Sequence, residues 1–471
     1  MSDDLAHLDA LAQAELVRRG DIRPIELVEA AIARIEGLNP LLNAVTIPLF
    51  EKARAQARSP TLPDGPFRGV PLLLKDFLCY TTGDPYYEGT QFLRALDWRE
   101  DRDTYLAAKF RAAGFVFVGK TNVPELAAGE SGAFGESHNP WDLARSPGGS
   151  SSGSAAAVAA GLVPAAHAND GFGSIRIPAS ACGLVGLKPS RGRTSMGPAR
   201  APGLLGNIVE HVVTRTVRDT AAILDAVAGP MPGDLFVAPP PLRPYRDEVG
   251  LEPGRLRVGL LLEDLVLNLP VHAECLAAVR ETGHLLEALG HTVEESYPPA
   301  LTGPTGLGEA LRIIAASHTA ARLDAWSDRI GRPIGPQDVS SSLWDRAALG
   351  RSYSAVQVHA AVQRLMAGVM RVPEWWAEGV DLLVTPTMQQ PAPKWEDLTP
   401  ETAAGIWGLF TMPYSVSGQP AISLPLHWTQ EQLPIGIQLV ADYGREDVLL
   451  RVAAQLEATQ PWSSRRPPVH A

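Results

Sequence analysis

The sequence is short of several things, and each shortage excludes a class of protein. It has three cysteines, Cys79, Cys182 and Cys275, widely spaced and with no Cys-x-x-Cys. Neither a disulfide framework nor a zinc knuckle is therefore indicated. No run approaches the ~18 apolar residues needed to cross a bilayer. The opening MSDDLAHLDA is acidic and has no apolar signal core. Positive charge is scarce: 41 Lys and Arg stand against 52 Asp and Glu, a net charge of −11. That balance argues against nucleic acid and against an anionic membrane as partners. The eleven histidines form no motif that picks out a triad partner for a serine. The expectation is a cytoplasmic protein in a reducing compartment, without metal or cofactor, acting on a small molecule. A homodimer is left open.

What is present is an ordinary globular balance, 45% hydrophobic and 20% charged, enough for a large core. Length alone would suggest two or three domains of roughly 150 residues each. The unusual stretch runs from Ser146 to Lys188 and is crowded with Gly, Ser and Ala. Its first part, Pro147-Gly-Gly-Ser-Ser-Ser-Gly153, reads as a tight turn, since glycine permits positive φ and close backbone approach. The Ala-rich run Ser154–Ala160 reads as a short close-packed helix ended by Gly161. Asp170-Gly-Phe-Gly-Ser-Ile-Arg176 is a second Gly-rich turn carrying a serine. Two serines on such turns make a candidate reaction centre.

Apolar spacing predicts helices over 4–19, from Pro24 to Asn39-Pro40, and over 103–113, 216–227, 272–289, 305–326, 352–379 and 446–458. Short apolar runs predict strands at 44–47, 69–74, 115–118, 256–262, 292–295, 381–385, 414–425 and 433–439. Residues 190–194 read as a strand entry, 196–212 as a loop bordering the substrate, and 229–254 as a connector. The strand–helix–strand rhythm supports an α/β class. Two motifs are decoys. Gly114-x-x-x-x-Gly119-Lys120-Thr121 matches a P-loop, but its middle is four bulky apolar residues and Asn122-Val-Pro124 follows, so no phosphate cradle forms. Gly149-x-Ser151-x-Gly153 matches a nucleophile elbow, but the polar, Pro-terminated Asp142–Pro147 is not the strand that an elbow requires.

Gly148-Gly-Ser-Ser, then Asp170-x-x-Gly-Ser-Ile-Arg-x-Pro178, then Cys182-Gly-x-x-Gly-x-Lys-Pro189 resemble the amidase signature family. So does Gly69-Val-Pro-Leu-Leu-Leu-Lys75-Asp76 upstream, and the likeness runs from Gln13 to near Trp462. The resemblance implies one α/β domain over 1–471, a large twisted mixed β-sheet sandwiched between helices. Residues about 230–380 would be a more variable part covering the pocket. It implies amide hydrolysis by a catalytic set of Lys75, Ser150 and Ser174, with Ser174 the nucleophile and Ser150 relaying its proton to a neutral Lys75. A cis peptide at Gly149–Ser150 is implied as well. The backbone amides of Gly171, Phe172, Gly173 and Ser174 would form the oxyanion hole, with Ser151, Asp170 and Arg176 in support.

The sequence departs from the family pattern at Phe172, where a glycine is usual, and at Ala168-Asn169-Asp170, where Gly-Thr-Asp is usual. A phenylalanine at position 172 would be strained if that position needed positive φ. The wording AQAELVR, LVGLKPSRGR and YGREDVLL resembles the branch of the family that hydrolyses 6-aminohexanoate oligoamides. A broad aliphatic or aryl amidase, and a non-catalytic amidase-like binding protein, stay open beside that reading.

Overall fold

The computed structural model describes residues 2–128, 132–198, 206–265, 269–302, 307–398 and 408–471. Its frame is a mixed sheet of eleven strands among the described residues: β1 Val45–Pro48, β2 Pro71–Lys75, β3 Val116–Thr121, β4 Ala165–Asp170, β5 Val185–Lys188, β6 Val209–Thr214, β7 Arg257–Leu260, β8 Thr292–Glu295, β9 Leu382–Pro386, β10 Ala421–Trp428 and β11 Pro434–Ala441. Their order is β1-β3-β2-β4-β6-β5-β10-β11-β9-β7-β8. β2 runs parallel to both β3 and β4, and β7 to both β8 and β9, while the centre is antiparallel. The helices that matter below are α1 Pro24–Leu42, α2 Ser152–Ala159, α3 Arg176–Cys182, α4 Val217–Val227, α5 Ala273–Ala288, α6 Leu307–Ile330, α7 Ser341–Ser352, α8 Ala355–Val369, α9 Met412–Ser417 and α10 Glu446–Thr459.

Strand alternation sends successive side chains to opposite faces. Leu382 and Val384 of β9 pack with Val279 of α5, Leu224 of α4 and Leu449 of α10. Leu383, between them, packs with Ile314 of α6 and Leu365 of α8 on the other face. In β2, Leu73 meets Val28 and Ile32 of α1 and Val158 of α2, whereas Leu72 and Leu74 meet Phe110 and Ile223. Both faces are thus covered by helices. This is why β2 reads as an unbroken apolar run rather than an alternating one.

The two small helices of the Gly-Ser-Ala stretch lie unusually close to their neighbours. A Cβ on Gly153 of α2 would sit 2.3 Å from the Ala44 carbonyl oxygen, and one on Gly186 of β5 would sit 2.5 Å from Ala179 Cβ of α3. On β11, a Cβ at Gly436 would meet the Ser180 hydroxyl at 2.5 Å.

Several expectations are corrected. The helix over 4–19 is broken at Asp9, whose side chain accepts from the Ala12 amide and starts Ala10–Arg19 afresh. Helix α1 runs past Asn39-Pro40 to Leu42 and is closed by Asn43 at φ 45. Residues 190–194 form a turn around Gly192 at φ 76 rather than a strand entry. The loop over 196–212 gives way to β6 at Val209, while its residues 199–205 lie outside the described ones. The 414–425 segment begins as α9, with Pro413 in its first turn and Gly418 closing it at φ 97, and becomes strand only at Ala421. The first two residues of the 305–326 helix are likewise outside the described residues. Lys120 and Thr121 lie in β3, fully buried, as the rejection of the P-loop requires.

Candidate active site

Three segments converge at one end of β2. Lys75 is the last residue of that strand, Ser150 and Ser151 precede α2, and Ser174 sits on the turn between β4 and α3. Lys75 is completely buried. Its Nζ lies 2.8 Å from Ser150 Oγ, 3.0 Å from Ser151 Oγ and 2.7 Å from Asn169 Oδ1. Burial lowers its pKa to about 7, against the pull of the Asp170 and Glu210 carboxylates, which raise it. The Gly149–Ser150 peptide is cis. Ser151 Oγ donates to the Ser174 carbonyl oxygen and so ties the first turn to the second. Ser174 is half-buried, and its hydroxyl has no hydrogen bond among the described residues, to Ser150 or to any other group. No histidine side chain hydrogen-bonds any of the three serines among the described residues. The ring of His167 is engaged elsewhere, accepting at Nδ1 from the Lys75 backbone amide at 3.3 Å.

The second turn is held from below by a buried ion pair. Arg176 Nε meets Asp170 Oδ2 at 2.8 Å, and both side chains are fully buried. The guanidinium also donates to the Thr411 carbonyl, to Gln438 Oε1 and to Ser415 Oγ. Burial pushes the Asp170 carboxyl up, but Arg176 outweighs this and holds it below the usual carboxylate range. The same carboxylate accepts from the amides of Gly173 at 2.6 Å and Ile175 at 3.3 Å. This departs from the expected oxyanion hole: the Gly173 amide is already engaged by Asp170. Asn207 steadies the turn from the side by donating to the Gly171 carbonyl at 2.7 Å, and Thr411 Oγ1 donates to the Phe172 carbonyl.

The left-handed requirement falls on Gly173, at φ 135, and not on Phe172, whose φ is negative. Phenylalanine at 172 is therefore unstrained, and its half-buried ring packs beside Leu409, Phe410 and Met412. A Cβ on Gly173 would sit 2.3 Å from Thr411 Oγ1 and 2.4 Å from Ile177 Cδ1. Gly173→Ala is expected to displace the turn and lower kcat by about 10²-fold, as measured by steady-state hydrolysis.

Sequence reasoning missed Asn169, Asn207, Thr411, Ser415 and Gln438. Only Asn169 carried a signal, as a departure from the family's wording. Another missed group is Lys188 beneath the turn, lowered to about 7 by burial and by the nearby Arg176 guanidinium. Among the described residues, no group of three or more His, Cys, Asp or Glu could hold a metal.

A family model described as Amidase matches residues 26–450. The chain belongs to the amidase signature family. It is 45% identical to the 6-aminohexanoate-cyclic-dimer hydrolase of Paenarthrobacter ureafaciens, over 98% of this chain and 96% of the relative. A solved structure of 6-aminohexanoate cyclic dimer hydrolase complexed with substrate superposes with a TM-score of 0.94 at 43% identity, covering 99% of this chain and 100% of that one. A bacterial aryl acylamidase of the same family superposes with a TM-score of 0.87 at 28% identity, over 97% of each chain. This amidase is a hydrolase of amide carbon–nitrogen bonds. Among the described residues, no helix is long and apolar enough to cross a membrane.

Proposed function

We propose that this amidase works through an acyl-enzyme on Ser174, with Ser150 carrying protons between Ser174 and Lys75. The observation that carries the reading is the 2.8 Å contact of Ser150 Oγ with a fully buried lysine amine. A serine hydroxyl is a weak nucleophile until a base takes its proton. Neutral Lys75 takes the proton of Ser150, Ser150 takes that of Ser174, and Ser174 Oγ attacks the substrate carbonyl. The oxyanion faces the amides of the 171–174 turn other than Gly173. As the C–N bond breaks, Ser150 passes its proton to the leaving nitrogen. Water then attacks the ester by the reverse path. The link between the Ser150 and Ser174 hydroxyls closes when a carbonyl docks, since catalytic hydrogen bonds tighten in the substrate complex.

For the substrate we infer a cyclic or linear 6-aminohexanoate oligoamide. The 45% identity to the cyclic dimer hydrolase supports this. So does the apolar cluster of Leu409, Phe410 and Met412 beside Phe172, which suits a polymethylene chain. Helices α6 and α7 act as cover: Ala320, Leu323, Trp326, Leu343 and Ala347 pack on Tyr80, Tyr86 and Leu126.

The test is hydrolysis of the cyclic dimer, its linear dimer and an aryl anilide by purified protein between pH 5 and 9, with products read by mass. The base must be neutral, so kcat/KM should rise through pH about 7 and fall about tenfold per unit below it. Preference for the anilide would favour the aryl amidase alternative. A flat profile across pH 5–8 would remove lysine as the base.

A further inference from the structure

The three oxygens around Lys75 Nζ are not equivalent. Asn169 Oδ1 can only accept, and its amide is held in that orientation because Nδ2 donates to the Phe77 carbonyl at 2.9 Å. The Ser151 hydroxyl proton is committed to the Ser174 carbonyl, so toward the lysine Ser151 Oγ can also only accept. A neutral amine has two N–H bonds and one lone pair. Two acceptors take both N–H bonds, and the lone pair is left for the third neighbour, Ser150.

We propose that Asn169 is a positioning residue that sets the direction of the proton path, by accepting one amine hydrogen and thereby aiming the Lys75 lone pair at the Ser150 hydroxyl. Ser150 then donates to Lys75, and its own oxygen stays free to accept from Ser174. The inference rests on the reading of Lys75, Ser150 and Ser174 as the proton path.

The side-chain type at position 169 fits this task. The hydroxyl of the threonine usual at this position can accept the same hydrogen but can also turn and donate, whereas the carboxamide oxygen only accepts. A carboxylate would hold the amine as an ammonium with no lone pair at all. A pinned primary amide accepts, stays neutral and cannot rotate. The other charged groups facing Lys75 are Asp170 at the end of β4 and Glu210 on β6. Glu210 is itself 3.3 Å from His167 Nε2. Helix α2 brings no titratable side chain, and the phenyl ring of Phe77 lies 5.6 Å from Nζ, with the Arg322 guanidinium on that same ring. On β3, the register pairs Lys75 with Thr121, which leaves Lys120 on the opposite face.

The experiment compares Asn169→Asp and Asn169→Leu, both checked for fold by circular dichroism, through the pH profile of kcat/KM and the alkaline plateau of kcat. Asn169→Asp should displace the rising limb upward by about 1–3 pH units, with most of the plateau kept. Asn169→Leu removes a bond that the ammonium uses, so its limb should move downward. Its plateau should drop at least about tenfold, because the freed amine hydrogen can turn toward Ser150.

A merely structural asparagine predicts a uniform loss with both limbs unmoved, and that result, or displacement of both in the same direction, overturns the proposal. If Asn169→Asp does not fold, Asn169→Leu alone decides: a limb unmoved or raised overturns it. Lys75→Met separates the two levels. If it keeps activity with the native limb, the underlying proton path is wrong. If it is inactive while the Asn169 variants leave the limb in place, only the role of Asn169 fails.

Discussion

Ser174→Ala is expected to lower amide turnover by at least about 10⁴-fold, and to abolish covalent labelling by a fluorophosphonate. The loss should appear almost wholly in kcat, because the hydroxyl acts on the reacting carbon and contributes little to holding the substrate. Stability should change by no more than about 0.5 kcal/mol, since the Ser174 side chain is half-buried and its hydroxyl holds nothing in place among the described residues. The backbone carbonyl that Ser151 grips is untouched by the change. The combination of lost chemistry and preserved fold is the discriminating result. A variant retaining a tenth of the native rate would place the nucleophile elsewhere.

Arg176→Met should act in the opposite sense, through the fold. It leaves the Asp170 carboxylate buried without its cation, and breaking one side of such a pair costs about 3–5 kcal/mol. It also removes donors from the Thr411 carbonyl, Gln438 and Ser415. The pH dependence follows from the sign of the shift. In the native protein Asp170 is held below its ordinary pKa, so the pair adds stability above the unfolded value of 3.8 and loses it as pH falls further. Without Arg176 the main opposition to burial is gone, with Lys188 and the Ile175 amide still lowering the carboxyl, so its pKa rises and the folded variant takes up a proton more readily than its unfolded chain. The defect should therefore be largest near neutrality and shrink as pH falls toward about 4. Denaturation midpoints across that range check it, and Arg176→Met combined with Asp170→Asn should recover part of the loss at neutral pH. A defect that does not vary with pH would mean the loss is one of packing rather than charge.

Parts of the candidate site were legible in the chain, for identifiable reasons. Lys75 was legible only through the likeness of residues 69–76 to the family's lysine motif, since a lysine that ends an apolar strand reads equally as one reaching solvent. Ser150 and Ser174 stood out because glycines crowd around them. The supporting groups were hidden because they are remote in sequence: Thr411, Ser415 and Gln438 reach Arg176 only after the chain has crossed most of the sheet. Strand β4 was also missed. Its sequence, Ala165-Ala-His-Ala-Asn-Asp170, has weak strand propensity, and it is a strand because β2 and β6 flank it. The α9 segment misled in the other direction, since Tyr414 and Val416 favour strand locally, while Pro413 and Gly418 start and stop a short helix.

The close approach of the chain around Gly153, Gly186 and Gly436 bears on how this lineage can diversify. At those positions even one added carbon would overlap a backbone atom or a Cβ, which cannot retreat without moving the chain. The reactive half of the molecule is in that sense frozen, and drift there is removed before it can be tested for a new use. On the reading proposed above, adaptation to other amides falls to side chains of α6 and α7 and to the ring of Phe172, where side-chain volume can change without replacing those glycines.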